Sequence, residues 1–521
     1  MAQQDQDMMY YYYIYYPVLL ATMLVLVPLL LVKLRPGKHT KNPPPGPWQL
    51  PVIGSLHHLV GALPHYAMRD LARRHGPLML LRLGEIRVVV ASSASAAREV
   101  LKTHDSIFAT RPETNTMKAV KGIRGGMGII MAPQGEHWSM VRKLCVNELL
   151  SARQVRSFQG TREAEAGRLV ASVALASSSK SQPVNFGSHL ATYLHDVVVR
   201  AVVGDRITDR EAFIACLDDS ITAAAGLSLA DLFPSSGLAR AFGGGRTRRL
   251  KALSKRLRHA LDGVLAEQGA RRSGGPGGNR DEDLLDVMLR IQAEGTPLEM
   301  GTIRTVIIDL FAAGMETSTT TLQWAMAEMM RNPKVLGRAT AEVRATLEGQ
   351  SRVTEKALPE LRYMQLVIKE TLRLHMAAPL LLPRECQESC RVLGYDVPKG
   401  AMVLVNAWAI ARDTENWGPD AEEFRPERFE EADDSAVVNF KGQHFQFLPF
   451  GAGRRSCPGM MFSLAAMELA LASLLFHFDW ELPEGTVPAE LDMTEKFGIT
   501  ARKKTDLLLH ARLRAPLPPN L

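Results

Sequence analysis

The sequence of 521 residues has little of what small secreted or fibrous proteins are built from. Five cysteines are too few and too scattered for a disulfide scaffold, and their odd number leaves one unpaired. Aromatic residues make up only 6% of the chain, and six of the ten tyrosines fall between Tyr10 and Tyr16. These shortages exclude a disulfide-rich miniprotein and favour a reducing compartment in which one thiol has a special role. The cysteines are Cys145, Cys216, Cys386, Cys390 and Cys457.

A strong charge excess is also missing. The 62 basic and 55 acidic residues leave a net charge of +7, and no segment is a Lys/Arg tail of the kind that binds nucleic acid. With 46% hydrophobic and 22% charged residues, the composition is that of a globular protein with a core, which excludes a disordered hub. After residue 32 we find no second apolar run of membrane-spanning length, which excludes a multispan transporter.

The long uncharged run lies near the N-terminus, from Tyr10 to Val32. Its 23 residues are enough for one helix across an apolar layer of about 30 Å. Basic residues follow it directly, and a positive flank stays on the cytosolic side. Residues 1–32 are therefore predicted to be a luminal tail and a transmembrane anchor. A cleaved signal peptide is the alternative, but this run is longer than usual and lacks a small-x-small cleavage site.

Residues 33–55 are basic and then rich in proline, which predicts a stiff, extended linker. Beyond it, apolar residues recur at helical spacing, for example in Val335–Leu347 and Leu361–Leu374. Alternating β-branched pieces are few and short, such as Arg87–Val90 and Met402–Val405. The predicted fold class is mainly α with small β-sheets (α+β), with one N-terminal transmembrane helix and one catalytic domain over residues 56–521.

The sharpest local pattern surrounds Cys457, between Phe450 and Gly459. Its glycines permit a tight loop that turns backbone amides toward the sulfur, and the helix predicted from Met460 favours a thiolate. Arg455 places a cation beside it. A zinc site is excluded because no second Cys or His lies at ligand spacing. A nucleophile without a local His–Asp pair, or the single axial thiolate of a haem, remains.

In this loop the sequence resembles the cytochrome P-450 family. The haem-loop signature F-x-x-G-x-R-x-C-x-G is matched by Phe450, Gly453, Arg455, Cys457 and Gly459. The anchor, the linker and the later motifs resemble the large plant A-type clan of specialised metabolism. The resemblance implies the cytochrome P-450 fold, haem b (iron protoporphyrin IX) as cofactor and Cys457 as its axial iron ligand.

The resemblance also implies a role and partners. The protein would be an oxidoreductase, an NADPH- and O2-dependent monooxygenase, on the cytosolic face of the endoplasmic reticulum membrane. An NADPH-dependent flavoprotein reductase would supply its electrons, membrane lipid would surround its anchor, and no nucleic acid is expected as a partner.

A second motif is predicted to hold the cofactor. Trp138 and Arg142 match W-x-x-x-R, a spacing that puts an indole N–H and a guanidinium on one helix face, suited to a haem carboxylate. The resemblance implies Arg384 as a further carboxylate partner. It also places Phe450 and Gly451 in the cofactor-binding loop.

A third motif, from Ala313 to Ser318, lies in a helix predicted from about 298 to 331. Gly314 is a poor helix former, and Thr317 can bond back to a carbonyl one turn earlier. Glu316 and Thr317 are the candidate catalytic residues, which would deliver protons during oxygen activation.

A fourth motif is structural. Glu370 and Arg373 match E-x-x-R on one helix face, and Arg428 belongs to the family's second arginine element. The resemblance implies that the three form a buried charge triad behind the haem.

The sequence says less about the substrate than about the reaction. By resemblance, the pocket walls come from residues 114–131, 310–313, 377–382 and 497–499, which are mostly aliphatic, methionine and small residues. They favour an apolar specialised metabolite, a terpenoid first of all, such as a diterpenoid or sesquiterpenoid defence compound. Indole-derived or phenylpropanoid metabolites remain alternatives. A reductase-independent haem-thiolate isomerase or dehydratase, or a non-catalytic haem sensor, are the rival functions.

Overall fold

The computed structural model describes residues 23, 41–118, 126–178, 182–204, 207, 209–273, 282–430, 438–496 and 498–515. The side chains of residues 270–273 are outside this description. The predicted anchor, residues 10–32, also lies outside the described residues except for Met23.

Helices dominate the described part of the chain. In chain order the α-helices are α1 (Pro64–His75), α2 (Ala94–Arg98), α3 (Asp105–Phe108), α4 (Glu136–Leu144), α5 (Ala152–Ser157), α6 (Gln159–Ser177), α7 (Phe186–Val203), α8 (Arg210–Ala224), α9 (Leu229–Leu232), α10 (Gly237–Ser273), α11 (Leu284–Ala293), α12 (Met300–Arg331), α13 (Pro333–Thr346), α14 (Arg362–Leu374), α15 (Ala407–Ile410), α16 (Thr414–Trp417) and α17 (Met460–His477). Short 3₁₀ turns are Leu56–Leu59, Glu355–Glu360, Pro426–Phe429, Gly453–Arg455 and Pro488–Glu490, and π turns are Glu99–Thr103 and Cys145–Leu149.

The strands of the described residues form four small sheets. They are β1 (Leu78–Leu83), β2 (Ile86–Ala91), β3 (Val184–Asn185), β4 (Arg384–Glu385), β5 (Cys390–Val392), β6 (Tyr395–Val397), β7 (Met402–Val405), β8 (Phe478–Glu481), β9 (Glu495–Lys496), β10 (Arg502–Lys503) and β11 (Leu508–Leu513). The largest sheet has the order β1-β2-β7-β4, and β2 and β7 are parallel while the other pairs are antiparallel. The others are β3-β11-β8, β5-β6 and β9-β10, all antiparallel.

The predicted elements are confirmed where the sequence pattern is strong. Val88–Val90 of β2 and Met402–Val405 of β7 are buried throughout, as expected of parallel neighbours covered on both faces. Helices α13 and α14 occupy the two segments whose apolar spacing predicted them. The mainly helical fold with small sheets is therefore as predicted.

Helix α12 is the centre of the largest core. Most of its side chains between Thr302 and Met330 are buried, and it packs against α7, α13, α14 and α17. Such a helix is apolar on more than one face because neighbours cover it nearly all round. This placement makes α12 a rigid support for any site built along it.

The described half of the predicted linker lies on the catalytic body. The Leu80 amide of β1 donates to the Pro45 carbonyl at 2.8 Å, and the Asp396 amide of β6 donates to the Asn42 carbonyl at 2.7 Å. A Cβ on Gly46 would stand 2.1 Å from the Leu80 carbonyl oxygen, so only glycine permits this approach. Residues 42–46 are thus attached by hydrogen bonds to β1 of the largest sheet and to β6.

Two described stretches are long and apolar enough to cross a membrane. The expectation that no apolar run of this length follows residue 32 is therefore wrong. Met460–His477 is α17, and 67% of its window is buried, which identifies it as a core helix. Arg210–Leu232 covers α8 and α9, and only 28% of its window is buried. Both stretches meet the criterion for a membrane-spanning helix by length and composition only.

Candidate functional site

The loop before α17 holds Cys457 in a fixed backbone. The Cys457 amide donates to the Phe450 carbonyl at 2.9 Å, which closes the loop on itself. Gly451 and Gly453 have φ values of +64° and +70°, and a Cβ on Gly453 would stand 2.3 Å from the Leu101 carbonyl oxygen. Glycine at these positions is therefore required by geometry.

The Cys457 thiol faces an interior space. Its side chain is exposed, yet burial raises the pKa of the thiol, while an amide hydrogen bond from Gly459 and the charge of Arg142 lower that pKa. A side chain that is both accessible and poorly hydrated lies on a cavity inside the protein rather than on its outer surface. The thiol is therefore available to a group bound in that cavity.

A cluster of guanidinium groups stands beside this loop. Its members are Arg111, Arg142, Arg384 and Arg455. Burial lowers the pKa of each, and the charges of neighbouring arginines lower the pKa of Arg111 further and that of Arg455 to about 10. Asp105 is the carboxylate that pairs with the cluster, through Arg384 at 3.3 Å. The other hydrogen bonds of these guanidiniums go to backbone carbonyls and to Ser456.

These residues fit haem b. Half-buried Asp105 cannot by itself neutralise four cations, so the cluster has room for further negative charge, which the two carboxylates of haem b supply. The indole Nε1 of Trp138 is buried without a hydrogen-bond partner in the described part of the chain, although such a group normally finds one. The thiol, the excess positive charge and this indole form the donor set that a haem with a thiolate ligand needs.

The predicted cofactor residues are brought together, with one change in their arrangement. Arg455 does not act on the thiol: it stacks on Trp138 with 4.1 Å between its Cζ and the ring, and donates to the carbonyls of Ala109 and Ile129 at 2.7 and 3.1 Å. The cation that lowers the pKa of the Cys457 thiol is Arg142, which donates to the Ser456 carbonyl at 2.7 Å. The five-donor guanidinium fork of Arg455 is thus used to hold backbone.

Two residues of this cluster were missed from the sequence. Arg111 donates to the Pro383 and Leu382 carbonyls at 2.7 and 2.9 Å, and Asp105 accepts from the Arg454 amide at 2.8 Å. The signal for Arg111 was a lone arginine three residues after the buried Phe108, since an isolated cation next to core residues requires partners. No local pattern distinguishes Asp105 from a surface aspartate.

An accessible stripe runs along the middle of α12. Leu310, Ala313, Gly314 and Thr317 keep accessible surface at spacings of three and four residues, whereas Phe311 and Met315 between them are buried. Side chains at these spacings share one helix face, so this face borders an interior cavity. The predicted proton-delivery helix therefore has one open side.

Within this stripe, the Thr317 hydroxyl donates to the Ala313 carbonyl at 2.8 Å. This is the hydrogen bond to a carbonyl one turn earlier that the sequence predicted. The helix is continuous through this turn. A Cβ on Gly314 would stand 3.1 Å from Val198 of α7, so this glycine also lets the two helices pack closely.

Glu316 has a partner that its motif did not predict. Its Oε1 lies 2.5 Å from Nε of Arg502 in β10, and Arg502 also pairs with Asp218 of α8 at 2.6 Å. Glu316 is therefore an ion-pair member at the junction of α12, β10 and α8, rather than a free acid. The sequence offers only a weak signal for this ion pair, because Arg502 is one of three basic residues in a row.

Asp309 of α12 was also missed. Its Oδ2 accepts the Ile130 amide at 3.0 Å and fills the place where a Cβ on Gly128 would stand. Arg111 donates to the Ile130 carbonyl at 3.1 Å from the other side, so the loop is clamped between α12 and the arginine cluster. A single carboxylate in the apolar run Val306–Phe311 was the signal that the sequence offered.

The structural triad forms one buried cluster. Arg373 donates to both carboxylate oxygens of Glu370 at 2.7 Å, and Arg428 donates to Oε1 at 2.8 Å. Arg373 also donates to the Ala411 and Ala421 carbonyls at 2.6 and 2.7 Å. The triad thus fastens α14 to the segment that leads into the Cys457 loop.

Comparison with known proteins agrees with this geometry. The family model described as Cytochrome P-450 matches residues 43–509. The chain is 46% identical to desmethyl-deoxy-podophyllotoxin synthase of Sinopodophyllum hexandrum over 95% of this chain and 96% of the relative. It is 45% identical to premnaspirodiene oxygenase of Hyoscyamus muticus (91% and 93%) and 44% identical to dolabradiene monooxygenase of Zea mays (95% and 97%).

Proposed function

The chain belongs to the cytochrome P-450 family, and from this premise we propose that it oxidises an apolar plant terpenoid with electrons from an NADPH-dependent flavoprotein reductase. The protein is an oxidoreductase, a monooxygenase of specialised metabolism, with haem b as cofactor. Members of the family use O2, a redox partner and a small-molecule substrate. When bound, haem activates O2 so that one oxygen atom enters the substrate and the other leaves as water.

The observation that carries the proposal is the Cys457 thiol, which keeps accessible surface although burial raises its pKa, beside a cluster of four arginines. Cys457 is proposed as the axial ligand, and its loop fixes the sulfur through the Phe450 carbonyl and the Gly459 amide. Arg384, Arg455 and the unpartnered indole of Trp138 would hold the carboxylates of the cofactor. Arg142 contributes charge at the thiol.

The accessible stripe of α12 would form one wall of the reaction site. Thr317 presents a hydroxyl whose proton is held by the Ala313 carbonyl, and Glu316 stands one residue away with Arg502 as its partner. A hydroxyl and a carboxylate at this place can pass protons inward from solvent. An isomerase or dehydratase has no need of such a relay, which favours the monooxygenase over that alternative.

The terpenoid substrate rests on the walls and on the relatives. Leu310, Ala313 and Gly314 offer an apolar surface without charge. The names of two relatives, premnaspirodiene oxygenase and dolabradiene monooxygenase, give diene hydrocarbons as what those enzymes act on. A hydrocarbon substrate is held by shape and burial, since it offers no hydrogen-bonding group.

Membrane attachment is proposed from the sequence. Residues 1–32 would be the luminal tail and anchor, 33–55 the linker, and 56–521 the catalytic domain on the cytosolic face of the endoplasmic reticulum. The basic residues after Val32 support this orientation. Exposed Lys143 at the end of α4, close to the Arg142 contact with the Cys457 loop, would help attract an acidic reductase.

The ligand assignment is tested by the absorbance of the reduced, CO-bound protein. The parent protein is expected to show the band typical of thiolate ligation, and Cys457→Ser to lose it. Cys216→Ser, in α8, is the matched control and should keep the band. A thiolate band that survives Cys457→Ser would overturn the assignment.

Activity is tested in microsomes that contain this protein and a plant reductase, with a panel of terpene hydrocarbons, indoles and phenylpropanoids and with isotopically labelled O2. A terpene product that carries labelled oxygen and requires NADPH is expected. Products that form without NADPH or reductase would support the isomerase or dehydratase instead. Labelled products from the aromatic members of the panel alone would overturn the substrate class.

A further inference from the structure

Two cysteines outside the reaction site lie at either end of a short turn. Cys386 directly follows β4, and Cys390 is the first residue of β5. In the register of the β5–β6 hairpin, Cys390 is opposite Val397, and Sγ of Cys386 lies 3.9 Å from the Val397 carbonyl oxygen. The backbone therefore brings the two cysteines to the same end of the hairpin, where each side chain shifts the pKa of the other.

The two thiols differ in environment. Cys386 is fully buried, and its Sγ lies 2.9 Å from the Glu388 carbonyl oxygen. Cys390 is partly buried and packs against the hydrophobic cluster that contains Cys386. The Cys386 side chain lowers the pKa of Cys390, whereas the Cys390 side chain and then burial raise the pKa of Cys386. Cys390 is thus the sulfur that ionises more readily.

We propose that Cys390 and Cys386 form a thiol–disulfide exchange site. Cys390, the more accessible of the two, reacts first with a low-molecular-weight disulfide such as glutathione disulfide, and buried Cys386 then closes an internal disulfide. Thiolate character and access decide which thiol of a pair attacks, and both favour Cys390. A buried partner next to the attacking sulfur is the arrangement that resolves a mixed disulfide.

The exchange balances in two steps. The Cys390 thiolate attacks one sulfur of glutathione disulfide, the S–S bond of that molecule breaks, and one glutathione leaves as a thiolate that takes a proton from water. Cys386 then loses its proton to solvent, and its sulfur displaces the second glutathione from Cys390. Two cysteine thiols are oxidised, and one glutathione disulfide is reduced to two molecules of glutathione.

The local structure allows this change. β5 pairs with β6 in a two-stranded sheet, so it can shift with little disturbance of the larger sheets. On the other side, the Cys386 amide donates to the Ala401 carbonyl at 2.9 Å and the Glu385 amide to the Thr110 carbonyl at 3.1 Å, which hold the inner cysteine in place. The outer sulfur would therefore move toward the inner one.

The test uses the full-length, haem-loaded protein equilibrated in buffers of varied ratio of reduced to oxidised glutathione. After an acid quench, the protein is denatured, alkylated and weighed, and its peptides are sequenced. We expect the loss of two of the five alkylatable thiols and a peptide bridged between Cys386 and Cys390. Five alkylatable thiols at every ratio, or a bridge between other cysteines, would overturn the proposal.

Single variants separate the two roles. Cys386→Ser should stop at one glutathione adduct on Cys390, and Cys390→Ser should leave Cys386 unmodified. Cys216→Ser should form the bridge as the parent does. An adduct on Cys386 in the Cys390→Ser variant would show that the proposed order of attack is wrong. The CO-bound absorbance of each variant reports independently that it has folded with its haem.

Discussion

Glu316 accepts a hydrogen bond from Arg502, with 2.5 Å between Oε1 and Nε, and this contact joins the middle of α12 to β10. Arg502 also holds Asp218 of α8, so one guanidinium bridges two carboxylates from two helices. A proton relay through Glu316 therefore operates beside a fixed positive charge. The pair restricts the carboxylate to one orientation.

If Glu316 relays protons, then Glu316→Gln should lower the product formed per NADPH consumed, on the order of 10²-fold, the low end for loss of a general acid. The CO-bound absorbance should be unchanged because the carboxylate pairs with Arg502 of β10 rather than with the Cys457 loop. Product and NADPH are measured together in the reconstituted system. Asp218→Asn, which removes the other partner of Arg502, is the control and should retain coupling. An equal loss in that variant would mean that Glu316 acts by holding Arg502.

Thr317→Ala should divert electrons to hydrogen peroxide. The variant removes the hydroxyl that donates to the Ala313 carbonyl on the accessible face of α12, and with it a proton carrier at the cavity. Peroxide released per NADPH should rise several-fold while the CO-bound spectrum is kept. Thr317→Ser retains the hydroxyl and should behave as the parent. Unchanged coupling in Thr317→Ala would refute a proton role for this residue.

The elements beneath this site could be predicted because their patterns are local. The apolar period gave α12 to within two residues at its start, and the glycines around Cys457 gave the loop. The partners could not be predicted, since Arg502 lies 186 residues after Glu316 and its neighbours are also basic. Such ion pairs are decided by where β10 lies against α12, which is a tertiary relationship.

Tertiary structure also decides the contacts of Arg455, which differ from the predicted one with the Cys457 sulfur. A cation two residues before Cys457 suggested a contact with the sulfur, but side chains separated by two residues in a loop can point to opposite sides. Arg455 is turned toward Trp138 and the Ala109 carbonyl, and Arg142 of α4 comes to the loop instead. Sequence spacing identified the right group of residues and not the contacts within it.

Asp309→Ala should change the product pattern more than the haem environment. It removes the acceptor of the Ile130 amide, and a backbone group left without a partner costs about 1–3 kcal/mol. The loop would then be held by Arg111 and Arg455 of the arginine cluster and no longer by this α12 carboxylate, so the substrate should be positioned less strictly. We expect a KM raised roughly ten-fold and a wider spread of oxidised positions. Asp309→Asn keeps an acceptor oxygen and should give a smaller change, and identical products from all three proteins would contradict this role.

Arg373→Lys should destabilise the protein although the charge is kept. Lysine cannot reproduce the two bonds to Glu370 together with those to the Ala411 and Ala421 carbonyls. Breaking a buried charged network costs roughly 3–5 kcal/mol. The denaturation midpoint and the ratio of haem to protein should both fall. Exposed Arg362→Lys, at the start of the same helix, is the control. A midpoint equal to that of the control would show that the fork of Arg373 is dispensable.

The stability of α17 should depend on pH through Glu468. Burial first, and then the charge of Glu355, raise the pKa of this carboxyl to about 7 against the opposing effect of a hydrogen bond from Gln365. A carboxyl whose pKa is higher in the folded state than in the unfolded chain stabilises the fold while it is protonated. That contribution is complete below the unfolded value of 4.5 and is lost as the pH rises through about 7.

Glu468→Gln is neutral at every pH, so it should avoid this loss. Denaturation midpoints of the parent and the variant should be close at a pH of about 5, and the variant should be the more stable above a pH of about 7, by on the order of 1 kcal/mol. Glu484→Gln, at an exposed position, is the matched control and should follow the parent at all pH values. A difference between parent and Glu468→Gln that is constant with pH would mean that the amide changes packing rather than protonation, because only a titrating carboxyl can make the difference grow between these two limits.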